Sequence, residues 1–257
     1  MLAKIVKGAA LLLVAGPALA QPTHAETLLE HSAETRMQLD FVVADAALKA
    51  HLPAGWETDV ATAGGAKDCN LRMIFVDRSD ITGPDGAPKG TSQLVYLEVP
   101  VKKPSANLAG RMVIGGLTAD AKDAPGPFGV YKAAASHRVE RSTTATAGQP
   151  IQTAENWEFV GPSGERMELH LKYERRVARR GMGELKLFSG ADPSFYQIVK
   201  LAQGLDPMRN ATVPSRDTVS EFQYKGTGGI LGPLFDGSER VVSIDSIHWN
   251  DRAIYLP

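Results

Sequence analysis

Apolar and polar residues alternate along several stretches of the chain, and a period of two residues is typical of β-strands that bury one face. The clearest case is MELHLKYE, residues 167–174, in which every second residue is apolar. Similar strand-like stretches occupy residues 71–77, 94–101, 111–117 and 240–249. We count about eight to ten short strands without regular βαβ alternation, which predicts an α+β fold of mostly antiparallel β-structure, arranged as a barrel or a sandwich.

Two segments carry helix signals. Residues 45–51, DAALKAH, precede a Leu-Pro pair that favours a helix end. Residues 192–204 begin with Asp192, which can cap a helix, and Pro193, which suits the first helical position. Apolar residues then recur at helical spacing, so we predict a few short helices, including one at each segment. Residues 184–188, ELKLF, are predicted to form a hairpin with the strand at 167–174.

The N-terminus predicts export. Lys4 and Lys7 precede the apolar run at residues 9–15, and the Ala-Leu-Ala at residues 18–20 matches a signal-peptidase cleavage site. We therefore expect residues 1–20 to be a signal peptide, with an alternative cut after residue 25, and residues 26–257 to form a single β-barrel domain. No later stretch approaches the roughly 18 apolar residues of a transmembrane helix. The expected location is the periplasm or the medium.

Charge and composition narrow the function classes. The chain has 28 Lys and Arg, 29 Asp and Glu, and a formal charge of −1, which becomes −3 without Lys4 and Lys7. A mildly acidic protein is a poor candidate for nucleic-acid binding. Cys69 is the only cysteine, so no intrachain disulfide is expected, and we predict that it is buried. No metal-binding or dinucleotide motif occurs, so neither a metal nor a cofactor is predicted.

The central part of the chain resembles the acetoacetate decarboxylase family. The matching pieces are Val99-Pro100-Val101, the strand at residues 111–117, and Gly129-Val130-Tyr131-Lys132. Residues 48–55, LKAHLPAG, are similar to an early piece of the same family. The resemblance implies an acetoacetate-decarboxylase-like β-barrel with a few short helices and a mostly apolar interior cavity. We expect inward-facing apolar residues, among them Val113, Leu169 and Leu171.

In that family, a lysine forms a Schiff base with a β-keto acid, and Lys132 matches its position. This chemistry needs a neutral amine, whereas the pKa of a free lysine is about 10.4. The chain departs from the family pattern at several places. Ala133 stands at the position of a second lysine, Tyr131 replaces a proline, and residues 124–126 replace a Gly-Arg-Glu triplet. Leu94 stands where the family carries a glutamate before Pro-Val.

These observations leave three hypotheses. The main one is an exported barrel that binds a small, largely apolar organic molecule in its interior, with the ligand contacted by Tyr131, Phe128, Tyr96 and Trp56. The second is a Schiff-base lyase or related carbonyl enzyme, with Lys132, Glu98 and Arg111 as catalytic residues. The third is an envelope protein that binds a partner through the arginine-rich loop at residues 175–180. Because relatives are often oligomeric, the resemblance leaves a homo-oligomer open.

Overall fold

The computed structural model describes residues 25–214 and 217–257, so the predicted signal peptide lies outside the described residues. No helix in the described ranges is long and apolar enough to cross a membrane. In chain order the elements are β1 (Thr27–Val42), α1 (Asp45–Lys49), β2 (Glu57–Thr58), β3 (Leu71–Thr82), β4 (Pro88–Lys103), β5 (Leu108–Thr118), β6 (Tyr131–Ala133), β7 (Ser136–Thr144), β8 (Ile151–Val160), β9 (Arg166–Arg175), β10 (Arg179–Ser189), β11 (Tyr196–Asn210), β12 (Val219–Thr227), α2 (Leu231–Leu234) and β13 (Arg240–Leu256).

The larger sheet closes on itself. Across the described part of the chain it has nine strands in the order β2-β4-β3-β1-β13-β11-β10-β5-β6, and an additional pairing joins β4 to β5. The strands β4, β3, β1, β13, β11, β10 and β5 therefore form a closed circuit, which we call the ring. Its pairs are antiparallel except β10–β5. The predicted fold class, mostly antiparallel with a few short helices, is confirmed.

A second, four-stranded antiparallel sheet in the order β12-β9-β8-β7 packs against the outer face of the ring. The contact is apolar. The centroids of the aromatic side chains of Phe75 on β3 and Trp157 on β8 lie 5.8 Å apart, and both side chains are fully buried. Burial on this scale supplies most of the favourable free energy of folding. The predicted alternation of residues 167–174 is confirmed, because β9 buries every second side chain in this layer.

Strand β3 shows why strands of the ring are apolar at nearly every position of their sequence. Met73 and Phe75 belong to the core between the two sheets. Ile74 and Val76 point the other way, because successive strand residues alternate, and they pack inside the ring. A strand covered on both faces becomes a nearly continuous apolar run. The buried apolar residues enclosed by the ring are Ile74, Val76, Tyr96, Val113, Phe128, Leu187 and Val199.

Three expectations from the sequence need correction. Residues 192–204 do not form a helix: Asp192 accepts hydrogen bonds from the backbone and hydroxyl of Ser194 in a turn, and strand β11 follows. Pairing with both β10 and β13 overrides the local helix signal. The expected hairpin between 167–174 and 184–188 is also wrong, because the chain leaves the second sheet after β9 and enters the ring at β10. Leu169 and Leu171 accordingly lie between the sheets, outside the ring interior.

The predicted helix near residue 45 is confirmed as α1.

Candidate functional site

A cavity of about 390 Å³ opens at one end of the ring, and we call it the ring cavity. Three predicted ligand-binding residues, Tyr96, Phe128 and Tyr131, line it together. The ring centroids of Phe128 and Tyr131 lie 6.2 Å apart, and those of Tyr96 and Tyr131 lie 6.4 Å apart. Gly126 makes this cluster possible, because its φ is +68° and a Cβ atom there would lie 2.4 Å from the Tyr131 ring. Burial raises the pKa of both phenols, so their hydroxyls stay protonated at neutral pH.

Lys132 lies on the opposite face of β6 from Tyr131. Since neighbouring strand residues point to opposite faces, the side chain that enters the ring is Tyr131. The Lys132 side chain is 54% exposed, and its Nζ lies 2.5 Å from Glu165 Oε1. The hydrogen bond from Lys132 is the main reason that the pKa of Glu165 lies below its usual range. The structure therefore does not bring Lys132 together with Glu98 and Arg111, and its Schiff-base role stays a prediction.

A buried carboxylate, Glu34, joins three strands inside the ring. Its Oε2 accepts hydrogen bonds from Arg36 Nε at 2.7 Å and Nη2 at 2.5 Å, and its Oε1 accepts from Arg252 Nη1 at 3.2 Å. The Nε atom of Arg78 lies 3.5 Å from the same Oε1. Burial alone would favour the protonated acid, but the three guanidinium groups outweigh it and hold the pKa of Glu34 well below its usual range.

A second charged cluster occupies the other end of the ring. Glu98 Oε1 lies 3.1 Å from Arg111 Nη1 and 3.5 Å from Arg72 Nη1, so two of the predicted catalytic residues are paired. Burial raises the pKa of Glu98, although Arg72 opposes this shift. Arg72 and Arg111 border a separate cavity of about 450 Å³. The ring interior therefore combines apolar side chains with buried charges, and is less apolar than the resemblance implied.

The predicted ligand contact Trp56 lies away from the ring cavity. It is buried in the core outside the ring, where its ring centroid lies 4.7 Å from that of Phe188. Cys69 is buried, as expected, and burial raises the pKa of its thiol to about 12, so the thiol is protonated and a weak nucleophile at neutral pH. No group of three or more His, Cys, Asp or Glu side chains in the described ranges is arranged to hold a metal ion.

Four buried polar atoms on residues that line the ring cavity have no hydrogen-bond partner within the described residues, and one of them, Arg78 Nε, faces Glu34 Oε1 at 3.5 Å. The other three are Thr118 Oγ1, Gln197 Oε1 and Arg252 Nε. Their residues are 1%, 4% and 8% exposed. Buried polar atoms without a partner are costly, so such atoms around one cavity indicate a place for a polar ligand or water. Sequence reasoning missed all three residues, because only the strand register shows which side chains face inward.

The sequence matches no protein-family model and no curated protein. Its structure is similar to that of the enduracididine biosynthesis enzyme MppR complexed with pyruvate, with a TM-score of 0.51, 12% identity, and coverage of 94% of this chain and 96% of that one. It is also similar to an acetoacetate decarboxylase-like enzyme from Sphingomonas wittichii, with a TM-score of 0.50, 11% identity, and coverage of 95% and 100%. The chain thus has the acetoacetate-decarboxylase-like fold, as the sequence resemblance predicted.

The Glu34 cluster generates a stability prediction. Glu34→Gln leaves Arg36, Arg78 and Arg252 facing a neutral amide, and we expect the free energy of unfolding at pH 7 to fall by about 3–5 kcal/mol. The matched control is Glu140→Gln, since Glu140 and Arg138 form an exposed pair. That change should leave the free energy of unfolding nearly unchanged, because exposed ion pairs contribute little to stability. Urea denaturation measures both variants.

The same cluster should make the wild type sensitive to acid. Because the pKa of Glu34 is lower in the folded state, its contribution to stability is complete above its unfolded pKa and is lost as the pH falls through the folded pKa. Between pH 5 and acid unfolding, the wild type should therefore lose more stability than Glu34→Gln. Equal losses in the two proteins, or a Glu34→Gln variant as stable as Glu140→Gln at pH 7, would contradict the role assigned to Glu34.

Proposed function

We propose that this chain binds a small organic acid with a neighbouring oxo or hydroxyl group inside the ring cavity. The observation that carries the proposal is the set of unpartnered polar atoms, Thr118 Oγ1, Gln197 Oε1 and Arg252 Nε, around one cavity. Arg252 Nε supplies a charged donor for a carboxylate, Thr118 can donate to an oxo group, and Gln197 Oε1 can accept from a hydroxyl. A 2-oxo or 2-hydroxy acid presents complementary atoms at short spacing.

The charge balance around Arg252 supports an anionic ligand. Glu34 is shared by three guanidinium groups, so its single negative charge does not neutralise them. Glu30 pairs with Arg78. Arg36 and Arg252 both form their ion pairs with Glu34 and therefore share its single negative charge. A carboxylate placed against Arg252 Nε would add the missing negative charge and a charge-assisted hydrogen bond.

The aromatic part of the cavity wall suits the organic body of the ligand. Tyr96, Phe128 and Tyr131 offer ring faces and edges, as in small-molecule sites that combine an apolar lining with a few polar groups. The cavity volume of about 390 Å³ is at the lower end of the range for such sites. That MppR is known in complex with pyruvate, a small oxo acid, is consistent with this ligand class for the shared fold.

Arg252→Lys should weaken pyruvate binding by about tenfold or more, because lysine keeps the charge beside Glu34 but removes the Nε donor and the planar fork. Isothermal titration calorimetry with pyruvate measures this loss. The matched control is Arg166→Lys, whose parent residue pairs with Glu168 at the surface and should bind pyruvate as the wild type does.

Thr118→Val provides a milder second variant that is nearly isosteric and leaves the Glu34 cluster intact; it should weaken pyruvate binding several-fold. Circular dichroism establishes that each variant is folded. Wild-type affinity for pyruvate in both folded cavity variants, or no measurable binding of pyruvate to the wild type, would contradict the proposal for this ligand class.

A Schiff-base lyase that uses Lys132 is the second candidate. It is favoured by the fold shared with an acetoacetate decarboxylase-like enzyme and by the position of Lys132 beside a second, mostly apolar cavity. In such a reaction the amine of Lys132 would first have to leave Glu165 and lose a proton, then attack the substrate carbonyl and release water.

The lyase candidate predicts a stoichiometric adduct when the protein is treated with acetoacetate or pyruvate and borohydride. Mass spectrometry should place the adduct on Lys132, and Lys132→Ala should abolish it. An adduct spread over many lysines, or one that persists in Lys132→Ala, would remove this candidate and leave the binding proposal in place.

We also propose that the chain is exported, on the basis of the charged and apolar pattern of residues 1–20. Mature protein recovered from a periplasmic or culture fraction should begin at residue 21, or at residue 26 if the alternative site is cut. N-terminal sequencing measures this directly, and uncleaved protein confined to the cytoplasm would contradict export.

An envelope partner remains the third alternative, with the exposed Val177 at the centre of the arginine-rich loop.

A further inference from the structure

A second cavity, of about 200 Å³, lies on the outer face of the ring and is separate from the ring cavity. We call it the outer cavity. It is bordered by β5, β6, the start of β9 and the segment that enters α2. Its volume exceeds the roughly 150 Å³ of an apolar cavity that takes up benzene. Its apolar lining residues are Ile114, Leu117, Val130, Met167, Ile230 and Leu231.

The one ion pair at this cavity in the described structure is asymmetric. Glu165 has a side chain that is 6% exposed, whereas the Lys132 side chain is 54% exposed. Glu165 is also fixed in place, because its Oε2 accepts a hydrogen bond from the Ser163 backbone at 3.0 Å and its backbone carbonyl accepts one from Gly161 at 2.7 Å. The carboxylate is therefore part of the cavity wall, while the ammonium reaches it from solvent.

The chain before α2 holds Glu165 against the cavity. Gly229 has a φ of +51°, and a Cβ atom there would lie 3.1 Å from Glu165 Cγ. A backbone without a side chain can approach the glutamate closely, so Glu165 is enclosed on that side. The open side of the carboxylate is the one that Lys132 Nζ occupies.

We propose that the outer cavity binds a small apolar amine, whose ammonium replaces Lys132 on Glu165 and whose apolar body occupies the space between Ile114, Met167 and Ile230. Lys132 is an exposed, flexible cation that can return to solvent, and the ligand ammonium takes over its pairing with the buried carboxylate of Glu165. A ligand ammonium that brings its own apolar group gains burial that the lysine does not provide. The step is an exchange of cations, with no covalent change.

This inference is independent of the organic-acid proposal, because Tyr131 and Lys132 face different cavities. It predicts that substitutions of Glu165 and of Lys132 change the affinity for the amine in opposite directions. Glu165→Gln removes the acceptor of the ammonium and should weaken amine binding by about tenfold or more. Lys132→Met removes the competing cation and extends the apolar wall, so it should strengthen amine binding several-fold.

Benzylamine is the probe, measured by isothermal titration calorimetry at pH 7 with the full mature protein and with benzoate as the matched anion. We expect benzylamine to bind the wild type, more tightly to Lys132→Met, and at least tenfold more weakly to Glu165→Gln. If Glu165→Gln does not fold, Ile230→Trp takes its place, because an indole at that position fills the cavity and should abolish binding.

Three results would overturn the proposal. They are an unchanged benzylamine affinity in the folded Glu165→Gln or Ile230→Trp variant, weaker binding of benzylamine by Lys132→Met, and benzoate binding that Lys132→Met abolishes. Arg252→Lys serves as the control for the other site, since it should leave benzylamine binding unchanged. If pyruvate binding failed while benzylamine binding behaved as expected, the result would contradict the organic-acid proposal for the ring cavity and leave the amine proposal for the outer cavity in place.

Discussion

The interaction on which the site most depends is the set of hydrogen bonds and ion pairs that Glu34 makes inside the ring. Arg36 on β1, Arg78 on β3 and Arg252 on β13 all converge on this one carboxylate. A buried charge is tolerable only when it is paired and hydrogen-bonded, so the three strands must hold their register for Glu34 to be satisfied. The same constraint fixes Arg252 at the wall of the ring cavity with its Nε atom free of any partner in the described residues.

Strand alternation divides the chemistry of β6 between two cavities. Tyr131 enters the ring and contacts the aromatic cluster there, whereas Lys132 faces the outer cavity and pairs with Glu165. A shift of register by one residue would exchange them. A phenol kept neutral by burial can hold and orient a ligand but cannot form a Schiff base. The fold and the proposed chemistry can therefore differ between this chain and the enzymes with which it shares its architecture.

Sequence patterns predicted the fold class because many strands here bury one face and show strict alternation, as β9 does. They failed at residues 192–204, where Ile198 and Val199 are both buried although they point to opposite faces of β11, a strand that is paired on both edges in the ring. Two adjacent buried residues followed by Ala202 look like a helical stripe. The short Pro-Val and Tyr-Lys pieces predicted the fold, and the structure places Lys132 on the face of β6 opposite the ring cavity, which Tyr131 lines.

The polar wall of the ring cavity could not be predicted, since Thr118, Gln197 and Arg252 come from three strands far apart in sequence. Only the pairing of β11 with β13, and the closure of the ring through β4 and β5, brings these residues to one end of the sheet. Glu34 was equally hidden, because a charged residue in an alternating strand normally faces solvent. Its burial depends on partners contributed by β1, β3 and β13 together.

The most direct test of the account is a crystal structure of the mature protein soaked with pyruvate. We predict electron density for the carboxylate within hydrogen-bond distance of Arg252 Nε, with the organic body against Tyr131 and Phe128. Density for pyruvate only outside the ring, or a ring cavity filled by ordered water at saturating pyruvate, would contradict the central claim that this fold binds a small organic acid in its interior.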